Sequence, residues 1–418
     1  MKTINTQLKT LAVAVFSALI FTGCGESTSA SNGPDYNGNP TPVDPTPVDP
    51  EEFQESVLVA HLANEVITPT IHRFQNLAQA QTQAVGDYCQ VQTSFINGNS
   101  DQSQLDASQL TAQNSWRDAM AIWQQIEVMQ IGPLPFDNAT LRNKIYSWPL
   151  VNTCHVDLDV GFFHANEVNG APYDIALRTA SRKGMAAMEY LLFNNNLAHS
   201  CESGEPIGWA TLTDNERMQV RCAFSQEVAK DIETNAAVLN TEWQKYIPQL
   251  TQAGTSSSLL TSSHEAVNTI SDALFYLDTF TKDGKLAQPL GLMNNPCGSQ
   301  VCPEAVESQL SGNSANNLLN NLIGFQKLFT GTDSGIGFED YLIDVGDKDT
   351  ADTMNAGITS AIADTQSYVL TLAQALEQSP EQVELTHAEV KKITDKLKTD
   401  FITSLSLELP KTAAGDND

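Results

Sequence analysis

The chain predicts an all-α fold of two helical-bundle-like halves, and three observations point there. Apolar residues recur at helical spacing along most of the chain. No stretch alternates with period two between hairpin turns. The helical stretches, many of roughly 20–30 residues, are joined by polar loops, as in bundles. A segment rich in Pro, Gly and Cys at 288–303 divides the two halves.

Taken in order, residues 1–23 read as a leader. Lys2 and Lys9 precede an apolar run from Leu11 to Phe21, followed by Thr22-Gly23-Cys24. The run is too short to remain as a membrane-spanning helix, and the small residues before Cys24 mark a processing site of bacterial lipoprotein type. Cys24 is therefore the expected lipidation site, anchoring the chain in the cell envelope. By its resemblance to sorted lipoproteins, Gly25 in place of an aspartate implies the outer membrane, facing the periplasm. Residues 24–52 form a linker rich in Pro, Ser and Asn, in which Thr41-Pro42-Val43-Asp44-Pro45 repeats at once as Thr46–Pro50. Such proline density extends a chain at about 3 Å per residue, so this segment reads as a spacer.

The body, 53–409, is expected to be one helical domain in two halves. Helices are predicted near 54–82, 173–194, 259–280, 352–378 and 382–406. Trp116, Met120 and Trp123 form one apolar stripe, and Leu318, Leu322, Phe325 and Phe329 another. Thr213-Asp214-Asn215-Glu216 is a capping box ahead of the stripe Val228, Ile232, Leu239 and Trp243. Residues 410–418 are polar and read as a frayed tail.

Charge and cysteine use narrow the class. The formal charge is −28, and losing Lys2 and Lys9 with the leader makes it −30. A surface this acidic repels phosphate backbones, which argues against nucleic acid as a partner. There are seven cysteines, and setting aside Cys24 leaves an even six, as expected for disulfides in an oxidising compartment. Cys297 and Cys302 are spaced to close a small loop. The pairing expected for the rest is Cys201 with Cys222, clipping a loop to the next helix, and Cys89 with Cys154.

The chemistry-bearing residues are few. Met185, Met188, Glu189 and Leu192 lie on one helical face, so Glu189 is an inward carboxylate. Glu127 continues the stripe of Trp116, Met120 and Trp123 in the same way. Buried carboxylates need a cation, a metal or strong donors. Two of them on two helices could hold a metal; alternatively each meets a buried arginine or lysine, such as Arg117, Arg142 or Arg178. Histidine is scarce: His164-Ala165-Asn166-Glu167 spells HxxE, and His155 lies near Asp157 and Asp159, but both are short matches. Asp344, Asp347, Asp349 and Asp352 imitate a calcium loop without its glycine and terminal glutamate in place. No nucleophile elbow, phosphate loop or dinucleotide fingerprint is present.

Several segments in order resemble the imelysin family. These are Trp116–Pro133, Ile145-Tyr146-Ser147-Trp148-Pro149, Gly184–Phe193 (similar to the family's GxHxxE-Tyr-Leu-Leu signature), Lys285–Gly291, Glu307–Gly331 and Leu397–Leu407. The resemblance spans roughly residues 54–408. It implies an all-α, two-half fold and an iron-regulated envelope protein; relatives are described as iron-uptake components, peptidases or polysaccharide binders. It further implies iron or another divalent cation as cofactor and iron-uptake proteins as partners. By position in the matched segments, Glu189 and Glu127 are the candidate metal residues, and Trp148, Ser308 and Asn313 the candidate ligand-binding residues. The signature's histidine position holds Ala186. A histidine there would lie beside Glu189 on the helix, and a catalytic zinc needs about three protein ligands. The expectation is thus a non-catalytic binding protein. The alternatives are a metallopeptidase with a divergent metal site, and a carbohydrate or peptide receptor using Trp116, Trp123, Trp148 and Trp209 as stacking platforms.

Overall fold

A computed structural model describes residues 53–332 and 335–410. The expected leader, the Cys24 anchor, the whole linker and the tail from residue 411 lie outside the described residues. The described residues are helical almost throughout, and their strands are limited to the two-residue hairpin pair Glu167–Val168 and Ala171–Pro172. No helix among them is long and apolar enough to cross a membrane.

The chain enters through α1 (Glu55–His61), a π-helical turn (Leu62–Ile67) and α2 (Thr68–Ile96). Asp101 and Gln104 form a capping box that starts α3 (Gln102–Glu127). After α4 (Phe136–Ile145), Asn152 caps α5 (Thr153–Ala165), and left-handed Asn166 ends it. Then come α6 (Gly184–Phe193) and α7 (Asp214–Thr251), the latter opened by the Thr213–Glu216 capping box that the sequence predicts. Helices α2, α3 and α7 pack together, with α6 laid on α3 and α7. Trp116, Met120, Trp123, Val228, Ile232, Leu239 and Trp243 are all buried, as their spacing requires. Each large side chain removed from water contributes on the order of 2–3 kcal/mol.

Ser262 caps α8 (Ser263–Leu274), which runs into a π-helical segment (Leu277–Ala287) and the short α9 (Gln288–Leu290). The second half holds α10 (Ser314–Thr330), α11 (Phe338–Asp344), α12 (Lys348–Gln366), α13 (Leu372–Gln378), α14 (Pro380–Lys396) and, beyond a π turn, α15 (Ile402–Ser404). Helix α12 packs on α10 and α14, and these two pack on the π-helical segment, although that segment precedes the Pro/Gly/Cys-rich stretch in sequence. The halves meet where α10 crosses α3. The approach is close: a Cβ on Gly324 would sit 2.7 Å from the Gln125 carbonyl oxygen. One apolar cluster runs through both halves, from Leu58 to Leu407.

Three expectations are corrected. The disulfides join Cys89 to Cys222, Cys154 to Cys201 and Cys297 to Cys302. Only the last follows the expected pairing; α2 and α7 are neighbours, so Cys89 finds Cys222 across 133 residues, with 5.6 Å between their Cα atoms. The helix expected over 173–194 is regular only from Gly184, because Asp174 caps a 3-10 turn at Ile175–Leu177 and Thr179 starts another at Ala180–Arg182. The helix expected over 352–378 breaks between α12 and α13, where Thr371 starts a new capping box.

Candidate functional site

Helix α6 carries the signature glutamate to the junction of the halves. Its first residue, Gly184, has φ +78°, and a Cβ there would lie 2.8 Å from the Ile145 carbonyl oxygen, so glycine is required on both counts. The turn before it is anchored by Lys183, whose Nζ donates to the Ile175 carbonyl (2.9 Å) and meets Asp231 (3.1 Å). Trp116 of α3 donates its indole N–H to the Met185 carbonyl at 2.9 Å. Three contacts thus fix where Glu189 points.

Glu189 is 7% exposed. Ser311 donates both its backbone N–H (2.9 Å) and its hydroxyl (2.8 Å) to Glu189 Oε1. Burial pushes the carboxyl up to about 7, although these donors and Ser308 pull it back, because no cation faces it closely enough to offset desolvation. Ser311 sits in the turn that precedes α10. From the first turns of α10, Asn317 donates to Ser308 Oγ (3.0 Å) and accepts from Asn313 at Oδ1 (2.8 Å), and Ser308 adopts φ +52°. Ser308 and Asn313, singled out from the sequence, therefore lie in one buried polar turn facing Glu189.

The next residue along, Glu307, continues the polar seam inward. Its Oε1 accepts the Tyr146 hydroxyl and, at 3.0 Å, Gln124 Nε2. Lys285 Nζ lies 3.1 Å from its Oε2 and donates to Gln124 Oε1 (2.6 Å) and Asn321 Oδ1 (2.8 Å). Burial lowers the Lys285 ammonium below its ordinary value while Glu307 opposes the shift. The ammonium also lies 5.7 Å from the centre of the Trp148 ring and 5.4 Å from that of Tyr276.

Glu127, fully buried, closes the seam. Arg142 holds it with both oxygens engaged, Nε to Oε1 at 3.1 Å and Nη2 to Oε2 at 2.7 Å, and donates a third bond to the Trp148 carbonyl at 3.0 Å. This is a bidentate, charge-assisted pair. Of the partners the sequence offers Glu127, the arginine is the one the fold supplies. All five residues singled out, Glu189, Glu127, Trp148, Ser308 and Asn313, fall on this one seam. Sequence reasoning missed its connecting members, Tyr146, Gln124, Lys285, Glu307, Ser311 and Asn321. A charged residue such as Lys285 inside an apolar, helix-packed run was the available signal.

A resident catalytic metal does not fit the seam. Glu189 Oε1 is taken by Ser311, both Glu127 oxygens by Arg142, and Ala186 offers no ligand. Among the described residues, the one group of three Cys, His, Asp or Glu with ligand atoms close together is Cys297, Cys302 and Glu304, and its thiols form a disulfide. His164 is exposed in the last turn of α5, and Glu167 lies past the left-handed residue that ends that helix, so HxxE does not share a helical face. Asp159 is paired with Arg178 and Arg182, and Asp157 accepts from Tyr190 and Ser200. In the calcium-loop imitation, Asp347 caps α12 and Asp352 pairs with Lys348. Trp116, Trp123 and Trp209 are buried, which removes them as stacking platforms; Trp148 is half-buried.

The fold and seam define a class: a two-half helical protein whose signature helix brings a carboxyl group to the junction of the halves. The Imelysin peptidase family matches residues 67–399, and the chain belongs to that family. No curated protein is matched. Among solved structures, the chain is similar to an imelysin-like protein from Psychrobacter arcticum 273-4, at 15% identity and a TM-score of 0.62. It is also similar to a protein from Parabacteroides distasonis ATCC 8503 named as an iron-regulated protein A precursor, at 17% identity and a TM-score of 0.64. Each likeness covers 85% of this chain and 96% of the other. At these identities the likeness is one of fold.

Proposed function

We propose that the chain is an exported lipoprotein, anchored through Cys24 in the outer membrane and facing the periplasm, that acts as a non-catalytic binding protein serving uptake of iron or another cation. The observation that carries the non-catalytic reading is the state of Glu189: its carboxyl oxygen is held by Ser311, and the neighbouring histidine position is Ala186. A glutamate so engaged has no adjacent nitrogen ligand with which to hold a water-activating metal. The link to iron is supported by the family and by the name of the Parabacteroides neighbour. The cation is cargo in this reading: Ser311 engages one oxygen of Glu189 and no histidine stands beside it, so the seam suits an exchangeable cation at the Glu189 carboxylate and not a resident catalytic one.

The test is elemental analysis of protein purified without chelators, then calorimetric titration with iron(II), iron(III), zinc and calcium, alongside a peptide-hydrolysis assay. The expected result is saturable cation binding that Glu189→Gln abolishes with the fold intact, and no hydrolysis. Metal-dependent hydrolysis lost in Glu189→Gln would return the protein to the peptidases. Cation binding unchanged in Glu189→Gln would mark Glu189 as structural.

A further inference from the structure

A second feature borders the polar seam at Tyr276 and opens away from Glu189. The turn between α3 and α4, the end of α7 and the start of the π-helical segment enclose a cleft of about 770 Å³. This is within the range of small-molecule sites, roughly 300–1,000 Å³. Its walls collect aromatic rings from three distant parts of the chain: Phe136 from the first residue of α4, Tyr246 from α7, and Tyr276 with Phe280 from the stretch after α8. Tyr276 and Phe280 stack with centroids 4.9 Å apart. Tyr246 lies directly over Gly132, where a Cβ would come within 2.5 Å of its ring, so glycine is what lets the ring form this wall.

Two of these rings are exposed without local reason. Phe136 is 75% exposed and Phe280 39%. Exposed aromatics gathered at one concave site mark ligand binding more often than scattered ones do. The one residue with an ordinarily charged side chain in the lining is Asp272 of α8; the other polar groups are neutral, among them Gln130, Thr269 and Thr279. A second cleft, of about 700 Å³, lies across Phe136 and Tyr246 and is lined by Lys144, Lys245, Glu242 and Asp137, with no such imbalance.

From this juxtaposition we infer that the cleft of Phe136, Tyr246, Phe280 and Asp272, with the buried Tyr276 ring backing Phe280, binds an organic cation, an amine or quaternary ammonium carrying an apolar body. Ring faces attract a cation through their quadrupole, the lone carboxylate supplies the counter-charge, and the apolar walls take the remainder of the ligand. The formal charge of −28 biases diffusional encounter in the same direction. The cleft and the seam share the Tyr276 ring, which faces Lys285 on the seam side, and Glu189 plays no part in this inference.

The test uses the full-length protein and benzyltrimethylammonium as probe, followed by calorimetry and by tyrosine and tryptophan fluorescence. Neopentylbenzene, its uncharged isostere, is the comparison ligand. Saturable binding of the cation is expected, about tenfold or more tighter than that of the isostere, and weakened about tenfold by Phe136→Ala and by Asp272→Asn. Both substitutions are at exposed positions, so folding is retained, which circular dichroism checks. Equal binding of the two ligands would leave an apolar pocket without cation recognition and overturn the inference. So would the absence of saturable binding, or binding unaffected by both substitutions. A dimer seen by sedimentation and lost in Phe136→Ala would assign the cleft to a second copy of the chain and overturn it as well.

Discussion

Two carboxylates read almost alike in the sequence, each closing an apolar helical stripe, yet the fold treats them differently. Glu127 is met by Arg142, only 15 residues further on, and becomes half of a closed, bidentate ion pair. Glu189 is met by Ser311, 122 residues away, and receives two neutral donors and no cation. The first has a guanidinium across both oxygens; the second is held where its proton is easily kept. A buried acid therefore acquires its character from whichever element the tertiary structure places opposite it, and Glu189, facing neutral donors, is a carboxyl whose pKa burial raises.

Several experiments would break or sharpen this contrast. The largest effect is expected at the Glu127 side. Arg142→Leu leaves a fully buried carboxylate without its counter-ion, and urea unfolding should show a loss of about 3–5 kcal/mol. A loss under 1 kcal/mol would mean that the pair is not the anchor described here. At the other carboxylate the sign depends on pH. Its folded pKa, about 7, lies above its ordinary value of 4.5. Between these values the folded chain keeps a proton that the unfolded chain has released. Stability is therefore fully present below pH 4.5 and is lost as pH rises through 7. Glu189→Gln should be near neutral at pH 4.5 and should stabilise by up to about 3 kcal/mol at pH 8. Parallel pH profiles for the two proteins would refute the uncompensated burial of Glu189.

Ser311→Ala removes the hydroxyl donor and leaves the backbone one, and should cost about 0.5–1.5 kcal/mol while moving the Glu189 titration upward. Carbon-13 NMR of the glutamate carboxyls would follow that shift. Smallest is the effect at a third, more accessible carboxylate. Glu55 Oε1 contacts His264 Nδ1 at 2.6 Å and accepts the Tyr341 hydroxyl at 2.6 Å, which ties α1 to α8 and α11. The hydrogen bond to Glu55 raises the His264 imidazolium above its ordinary 6.5. Its contribution is thus complete below 6.5 and fades as pH rises through the higher folded value. Because the imidazole is partly exposed, His264→Gln should cost under about 1 kcal/mol, and only on the acid side. A loss of equal size at pH 9 would show that the charge is not involved.

Much of this was legible locally. The Thr213–Glu216 box opens α7 as predicted, and the stripes through Trp123, Trp243 and Phe325 are buried because helical spacing puts them on one face. Cys297 and Cys302 pair because five residues of chain can close on themselves. Less legible were features resting on contacts between distant elements. Nothing near Cys89 specifies Cys222, which is reached only because α2 lies beside α7. Residues 173–183 have helix-compatible composition, but caps at Asp174 and the buried Lys183–Asp231 pair hold them in short turns.

The same division runs through the site. The amino-acid sequence by itself determined that Glu189 and Glu127 face inward, since period 3.6 assigns faces without reference to any neighbour. It also determined that Ala186 stands where a histidine ligand would be needed. Only the tertiary structure decided that Arg142 neutralises one carboxylate while the Ser308–Asn313 turn receives the other, and that Lys285 and Glu307 join them into one seam. Helical faces follow from local covalent geometry, whereas the partner across an interface depends on which distant helices pack together, and those choices are settled by the burial of the whole apolar core.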